Sequence, residues 1–552
     1  MAKATVWDRE VDVLVAGTGA AAFGAAITAA DGGASVLMVE STPYWGGTTS
    51  WSGGGVWAPN NSLMKRDGDA DSREEALVYL EQAVGPVGPA SSRERKEAFV
   101  DTVPQVVDFL ASKGIKWVRG KEYPDYYPEL EGGKIGRTLE VKPFNTKKLG
   151  SWWETANAKQ GGMPLPVMTD DVWLLSRAWV TWSGFWRGAR LVLRSLGGAI
   201  TGQRLRGMGG GLASSLMHIA LQQGIEVVLE TPLVDLVVEK GVVVGAVVEH
   251  QGVQQRIRAR KGVVLGAGGF AHNEEWRKKY QGVEGWSAAP KGDQGTAIAI
   301  AAKYGAQLAM MDDAWWGATI ASPEKGGRHG FVLWERSHPF SFVVDQSGER
   351  YLNESESYID FGHHMLERNK TVPAIPSWLI ASAQHTRRYL NSATLGQYKQ
   401  FAEAGSVVEA DTIEELASKI GIDPAKLRAT TDRFNGFAKT GKDLDFGRGD
   451  SAYDRYYSDP WVKPNPNLGA LTKGPFRAYK LHPGDLGTKG GLLTDEHARV
   501  LDESGKVIPG LYAAGNTTAS AMGDTYPGPG ATLGPALTFG YIAARHALGR
   551  DA

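Results

Sequence analysis

An α/β fold built on a dinucleotide-binding parallel sheet is predicted by three features of this 552-residue chain. A strand, a glycine-rich turn, a helix and a second strand open it between Val11 and Glu40. A second strand ends in glycines at Gly268, and a third strand, turn and helix close the chain from Gly510 onwards. Strand ends of one kind, separated by long segments of another character, indicate one parallel sheet interrupted by insertions.

The opening unit is the most informative. Asp12 to Ala16 is expected to be a buried parallel strand, because Val11, Val13, Leu14, Val15 and Ala16 run nearly without interruption into the turn. A helix of small residues then reaches Gly32 and Gly33. Gly17, Gly19 and Gly24, with Ala20 and Ala21 beside them, stand at the turn and on the first helical turns. There a missing Cβ lets backbone N–H groups approach a pyrophosphate. Ser35 to Val39 is the second strand, and Glu40, followed by Ser41, lies about 20 residues past the glycines, where a carboxylate can hold ribose hydroxyls. The strict third position of the G-x-G-x-x-G pattern is Ala22. A βαβ unit whose glycines only permit close packing is therefore the competing reading. The loop after Glu40 discriminates between the two: Gly47, Thr48, Thr49, Ser52, Gly53 and Gly54 make it a second polar, glycine-rich loop that a nicotinamide-only domain would not need. In FAD enzymes of the two-dinucleotide-fold type such a loop wraps the pyrophosphate and the flavin ring, so FAD is the expected cofactor.

Composition bounds the rest. Lys plus Arg number 60 against 61 acids, a net charge of -1 that argues against a polyanionic partner such as nucleic acid. There is no cysteine, which excludes disulfides, thiolate nucleophiles and cysteine-held metal or iron–sulfur centres. No metal site is expected. The N-terminal MAKATVWDRE has no apolar h-region, and no run of 18 apolar residues occurs, so a cytoplasmic location is expected.

Asp71 to Ile115 has apolar residues at helical spacing, and Tyr123 to Glu129 reads as a proline-fixed turn carrying three tyrosines, which packing alone would also explain. Trp152 to Arg206 differs from its surroundings. Six tryptophans fall between Trp152 and Trp186, and no acid occurs between Asp171 and Glu226. Two readings stand: a helical segment lying in a membrane interface with arginines towards headgroups, or a Trp-rich lid packed on the protein's own core.

Beyond it the α/β pattern returns. Ile225 to Leu229 reads as a strand, the sequence to Arg260 alternates like an antiparallel ribbon, and Val263 to Leu265 leads into the glycine turn at Gly268. The expected organisation is a first part of the nucleotide domain over 1–272, including the Trp/Arg-rich insertion at about 150–206, a catalytic cap over 273–470, and the rest of the nucleotide domain over 471–552. In the last part a strand, Gly510 to Ala514, turns at Gly515 and Asn516. A helix begins at about Ala531 and runs through Leu533, its N-terminus placed to face the flavin's N1/C2 carbonyl region. Tyr526 lies in the loop ahead of that helix with Gly530.

At these residues a resemblance becomes usable. VLVAGTGAAAFGAA with Glu40, GGTTSWSGGGVW, PDYYPE, VVLGAGGF, DDAWW, NESESY, DLGTKGGL, LYAAGN and YPGPGATLG resemble the 3-ketosteroid Δ1-dehydrogenases of the fumarate reductase/succinate dehydrogenase flavoprotein group, over essentially the whole chain. The resemblance implies a Rossmann-like FAD-binding fold with an inserted α+β catalytic cap. It implies 1,2-desaturation of 3-keto-4-ene steroids, with Tyr126, Tyr358, Tyr526 and Gly530 as the active site. Tyr526 and the Gly530 N–H would polarise the C3 carbonyl. Tyr358, ionised or nearly so and assisted by Tyr126 rather than Tyr127, would take the C2 proton, and hydride from C1 would pass to flavin N5. Electrons would leave to an external acceptor of quinone or dye type. The loop after Glu40 lacks the histidine that many succinate and fumarate enzymes link to FAD, so the flavin is expected to be noncovalent. The long Trp/Arg-rich segment suggests peripheral membrane contact and a side-chain-bearing sterol such as cholest-4-en-3-one. A 3-ketosteroid Δ4-(5α)-dehydrogenase is the rival enzyme, and a flavin-binding, membrane-docked protein without turnover the rival of another class.

Overall fold

The computed structural model describes residues 6–324, 327–391, 394 and 396–550. The first five residues of MAKATVWDRE lie outside that range. β1 (Arg9–Ala16), α1 (Ala20–Asp31) and β2 (Val36–Val39) form the predicted βαβ unit. β1 pairs in parallel with β2, Val13 opposite Val36, and with the strand Val253–Leu265, Val15 opposite Val264. That strand in turn pairs in parallel with Val507–Ala513. The three glycine-ended strands read from widely separated parts of the sequence are therefore immediate neighbours in one eight-stranded sheet. An antiparallel ribbon of Leu233–Glu239 and Val242–His250 branches from Val253–Leu265, and the sheet's main path ends at Arg499–Leu501 and Glu226–Val228.

α1 is alanine-rich, which favours helix, and its Phe23 and Ile27 are fully buried. It packs along the C-terminal helix Leu533–Ala547 at unusually short range. A Cβ on Gly24 would come within 2.9 Å of the Leu537 carbonyl, and one on Gly540 within 2.3 Å of the Ala21 carbonyl. Gly24 thus serves helix-to-helix packing and not the approach to a pyrophosphate expected for it, because its Cα faces the neighbouring helix and not the turn. Gly17 has φ +104°, and a Cβ there would meet the Gly266 carbonyl at 2.3 Å, so the turn after β1 closes on the glycine turn after Val253–Leu265.

The cap is a seven-stranded sheet running Gly330–Val332, Ala314–Ile320, Phe476–Thr488, Ser377–Ala381 and Ser341–Val344, with two further strands on Phe476–Thr488. Both expected cap limits shift. Phe476–Thr488 lies at the centre of the cap sheet, beyond the limit of 470. Helix Thr296–Lys303 shares the apolar cluster beneath the nucleotide sheet with Val11 and Leu14, so the chain past 273 still belongs to that layer. The long strand Phe476–Thr488 crosses the cap before the chain returns to the nucleotide sheet.

The Trp/Arg-rich segment is packed on the core in one part and exposed in another. Trp153 and Trp173 are buried, and Arg177, also buried, lies 4.4 Å over the Trp173 ring. Helix Trp182–Ile200 is different: Trp182, Phe185, Trp186, Leu193, Leu196 and Ile200 form one exposed apolar face, with Trp186 65% and Ile200 85% exposed. On its inner side Arg187 and Arg194 each donate to the buried carboxylate of Asp171 at 2.9 Å. Among the described residues no helix is long and apolar enough to cross a membrane.

Candidate active site

Three tyrosines from three parts of the chain meet between the sheet and the cap. The rings of Tyr126 and Tyr526 are stacked with centroids 5.0 Å apart, and that of Tyr358 stands edge-on to both, at 5.4 Å and 5.1 Å. Each is 4% exposed. Tyr453 packs on Tyr126, Phe331 on Tyr358 and Trp315 on Tyr526, at 4.6, 5.5 and 4.9 Å, giving an apolar wall around the three hydroxyls. Tyr127 points elsewhere, its hydroxyl donating to Asp360 at 3.0 Å.

Each tyrosine is positioned by local chemistry. The buried Asp125 carboxylate accepts from Trp57 Nε1, the Lys134 N–H and Arg137 Nη1 at 2.7, 3.0 and 2.7 Å, which pins the loop bearing Tyr126. The Tyr126 N–H then donates to the Pro527 carbonyl at 3.0 Å, joining this loop to the residue after Tyr526. Tyr358 is the first residue of helix Tyr358–Arg368, where unpaired N–H groups favour negative charge. Gly530 has φ +95°, and a Cβ would lie 2.3 Å from the Gly55 carbonyl, so only glycine fits. The Tyr526 oxygen lies 3.4 Å from Thr532 Oγ1, and the nearby Gly530 backbone acts to lower its phenol.

Burial pushes all three phenols up. For Tyr358 the neighbouring Tyr126 and Tyr526 add to the rise, and its hydrogen bonds with them raise it further while lowering theirs. Burial and its neighbours thus oppose ionisation of Tyr358 in the protein alone, whereas the proton-abstracting role expected for it calls for an ionised phenol.

The residues expected to hold the cofactor line the carboxyl edge of the main sheet. Neither α1 nor Leu533–Ala547 has a side-chain cap within its own turn; Ala20 N–H is taken by Thr49 Oγ1 and Gly534 N–H by the Gly530 carbonyl, which leaves the Ala21 and Leu533 N–H groups to face an anion or carbonyl. Around Gly19 a Cβ would meet nothing nearer than Thr49 Oγ1 at 3.6 Å, and around Gly47 nothing nearer than 3.7 Å, a cradle open to a ligand's approach. Ala20 N–H donates to Thr49 Oγ1 at 2.9 Å, tying the two glycine loops together, and Ala21 lies beside Gly515. Glu40 is buried at the end of β2, next to exposed Ser41, and accepts from Thr18 Oγ1 at 2.6 Å and the Thr42 N–H at 3.0 Å. Ser52 Oγ, Gly53 and Gly54 turn the loop against Thr169 and Met208, so Gly54's missing Cβ serves that contact. Gly268 accepts from Thr517 Oγ1 at 3.0 Å, and Asn516 accepts from Trp315 Nε1 at 3.1 Å. Ala531, Thr532, Gly515, Asn516, Trp315 and Lys489 line an empty volume of about 330 Å³, while Leu533 turns into the core. These features fit an extended dinucleotide with a flat ring at its end.

Residues given no role from sequence also meet here. Asp293, bonded by Thr48 Oγ1 at 2.9 Å, has its carboxyl pushed up to about 7 by burial. Asp313 and Lys489 stand behind Trp315. The motifs DDAWW and DLGTKGGL contain the latter two, but nothing local distinguishes a buried ion pair from a solvated one. Among the described residues no cluster suited to a metal ion occurs.

The chain matches the FAD binding domain family over residues 12–533. It is 44% identical over 97% of its length to a 3-oxosteroid 1-dehydrogenase of Mycolicibacterium smegmatis, 97% of which is covered. With its counterpart from Mycobacterium tuberculosis identity is also 44%, covering 98% of each chain. Among solved structures, the 3-ketosteroid delta1-dehydrogenase of Sterolibacterium denitrificans, in complex with 1,4-androstadiene-3,17-dione, superimposes with a TM-score of 0.91 at 37% identity. It covers 98% of this chain and 100% of that one.

Proposed function

The chain belongs to the 3-oxosteroid 1-dehydrogenase family of FAD-binding flavoproteins, and we propose that within it Tyr126, Tyr358, Tyr526 and Gly530 carry out the 1,2-desaturation of 3-keto-4-ene steroids. As a member it is an FAD-dependent oxidoreductase. The observation that carries the assignment of residues is the meeting of the three buried tyrosines beside the Gly530 N–H.

Bound along the carboxyl edge, FAD supplies the two-electron oxidant. The chain's own residues do the rest. The Tyr526 hydroxyl and the Gly530 N–H, four residues apart on one loop, would converge on one acceptor, the C3 carbonyl oxygen. Both donate to it as charge builds there, and such a donor is typically worth about 10² to 10³ in rate. That polarisation makes the C2 hydrogen acidic. Tyr358, once its own proton has passed to solvent, takes the C2 proton, with Tyr126 packed edge-on against it steadying the negative charge. Its place at a helix N-terminus contributes about 0.3–1 kcal/mol towards that anion. The surrounding aromatic wall excludes water from the developing enolate.

The finer substrate choice rests on helix Trp182–Ile200. Its exposed apolar face, flanked by the solvent-exposed Arg190, suits peripheral contact with an anionic bilayer, and a sterol with an alkyl side chain such as cholest-4-en-3-one would enter from that surface. The flavin is noncovalent, and its electrons go to an external acceptor of quinone type.

Anaerobic mixing of the FAD-loaded protein with cholest-4-en-3-one, with the product identified by mass and NMR, tests the reading. Loss of oxidised-flavin absorbance with a 1,4-dien-3-one product is expected. Reaction only with a 5α-saturated 3-ketone would replace it by 4,5-desaturation, and no reaction with any 3-ketosteroid would overturn it.

A further inference from the structure

We propose that Lys489 and Asp313 act as a positioning clamp that holds the loop of Tyr526 against the helix of Tyr358. The clamp rests on the catalytic roles proposed for those two tyrosines. Lys489 comes just after the central cap strand Phe476–Thr488, and its side chain is fully buried. Its ammonium donates to the carbonyls of Gly523 and Thr525 at 2.7 and 2.6 Å, the latter immediately before Tyr526. The same ammonium lies 3.7 Å from Asp313 Oδ2 and 4.5 Å over the Trp315 ring, the ring that packs edge-on to Tyr526. The backbone repeats the tie, since Lys489 N–H donates to the Asp313 carbonyl at 3.2 Å and Ser520 N–H to the Lys489 carbonyl at 3.0 Å.

Asp313 reaches the other tyrosine. Its Oδ1 accepts from the Ala314 N–H, Trp316 Nε1 and His363 Nε2 at 2.9, 2.8 and 2.8 Å. His363 lies on helix Tyr358–Arg368, which Tyr358 begins. Asp313 Oδ2 makes no hydrogen bond, so the Lys489 charge is what faces it. One carboxylate and one ammonium therefore connect the Tyr526 loop, the Trp315 strand and the Tyr358 helix.

The geometry has a cost that stability does not explain. Burial pulls the Lys489 ammonium down to about 8 against the opposing pull of Asp313. Burying an ion pair costs several kcal/mol per ion, and well-packed apolar residues can often replace one without loss of stability. The two backbone carbonyls of Gly523 and Thr525, however, can be gripped from one point only by a multivalent donor, and the lysine's N–H groups hold both while its charge faces Asp313.

The test is a double-mutant cycle on the FAD-loaded enzyme with a 3-keto-4-ene steroid. Lys489→Met is expected to lower kcat about tenfold or more with KM within about threefold and FAD content retained, because it disturbs a contact tightened in the transition state. In a Tyr526→Phe background the same change is expected to cost less than about twofold, since a residue acting through Tyr526 has little left to act on. Losses that multiply in the double variant, or a Lys489→Met enzyme with kcat within about twofold of its parent, overturn the clamp. If Lys489→Met yields no soluble holoenzyme, Asp313→Asn is put through the same cycle with the same two criteria. A parent enzyme inactive on every 3-ketosteroid overturns the functional reading and the clamp together, an outcome distinct from an active parent with indifferent variants.

Discussion

Tyr358 stands edge-on to Tyr126, ring centroids 5.4 Å apart and planes at 75°, although one begins a cap helix and the other sits in a loop held by Asp125 on the nucleotide side. The proposed proton acceptor and its helper are thus brought together across the interface of the two layers. Any motion between layers changes the distance between their hydroxyls.

Tyr358→Phe removes the proposed base without changing the packing of the ring. Turnover is expected to fall by at least about 10² to 10⁴, the range of general-base contributions, with FAD content unaltered. Normal turnover in that variant removes Tyr358 from the role.

Tyr526→Phe deletes one of the two donors to the C3 oxygen. Loss of about 10² to 10³ in kcat/KM is expected, with weaker steroid binding as well as slower flavin reduction in stopped flow. Unchanged kinetics would sink the assignment.

The pH profile is set by the direction of the Tyr358 shift. Burial raises its phenol above the ordinary value of about 10, and only the deprotonated phenol accepts a proton. The rate constant kcat/KM on a non-ionisable steroid should therefore climb with pH, towards about tenfold per unit, and still be climbing at about pH 9. A profile flat between about pH 6 and 9 would show that ionisation of Tyr358 does not limit the reaction.

Gly530→Ala combines a positive φ with a Cβ 2.3 Å from the Gly55 carbonyl. Backbone strain of this kind costs about 1–3 kcal/mol before the clash is counted, so a lower Tm and displaced Tyr526 function are expected together. An alanine variant with parental Tm and rate would show that the loop relaxes freely.

For helix Trp182–Ile200, replacing Trp182, Trp186 and Leu193 by serine should reduce cosedimentation with anionic lipid vesicles at least about tenfold, given about 1.5–3 kcal/mol for each large apolar side chain buried. Activity on a short, water-soluble steroid should be retained. Undiminished cosedimentation would count against membrane contact through this face.

Much of the fold is legible in the chain. The βαβ unit, the glycine turn at Gly268 and the strand–turn–helix around Gly515 are visible because an uninterrupted apolar strand running into glycine is seldom anything but a buried strand meeting a turn. Cap limits are not, because Phe476–Thr488 reads as an ordinary strand and only its pairing shows which sheet owns it. Gly24 misleads since a helical glycine looks the same whether a ligand or another helix lies against it. The choice of Tyr126 over Tyr127 comes from the resemblance, and the ring positions place Tyr126 among the others.

By itself the sequence determined what depends on neighbours along the chain: which strands are buried, where glycine turns open the backbone, and which helix ends can face an anion. Tertiary structure alone decided what depends on long-range closure and burial. It brought Tyr126, Tyr358 and Tyr526 within about 5 Å of one another, raised the Tyr358 phenol, and turned Asp313 and Lys489 into a buried pair. The physical reason is that a side chain's charge state and reach are set by the solvent it loses and the groups it meets, and both are properties of the packed molecule.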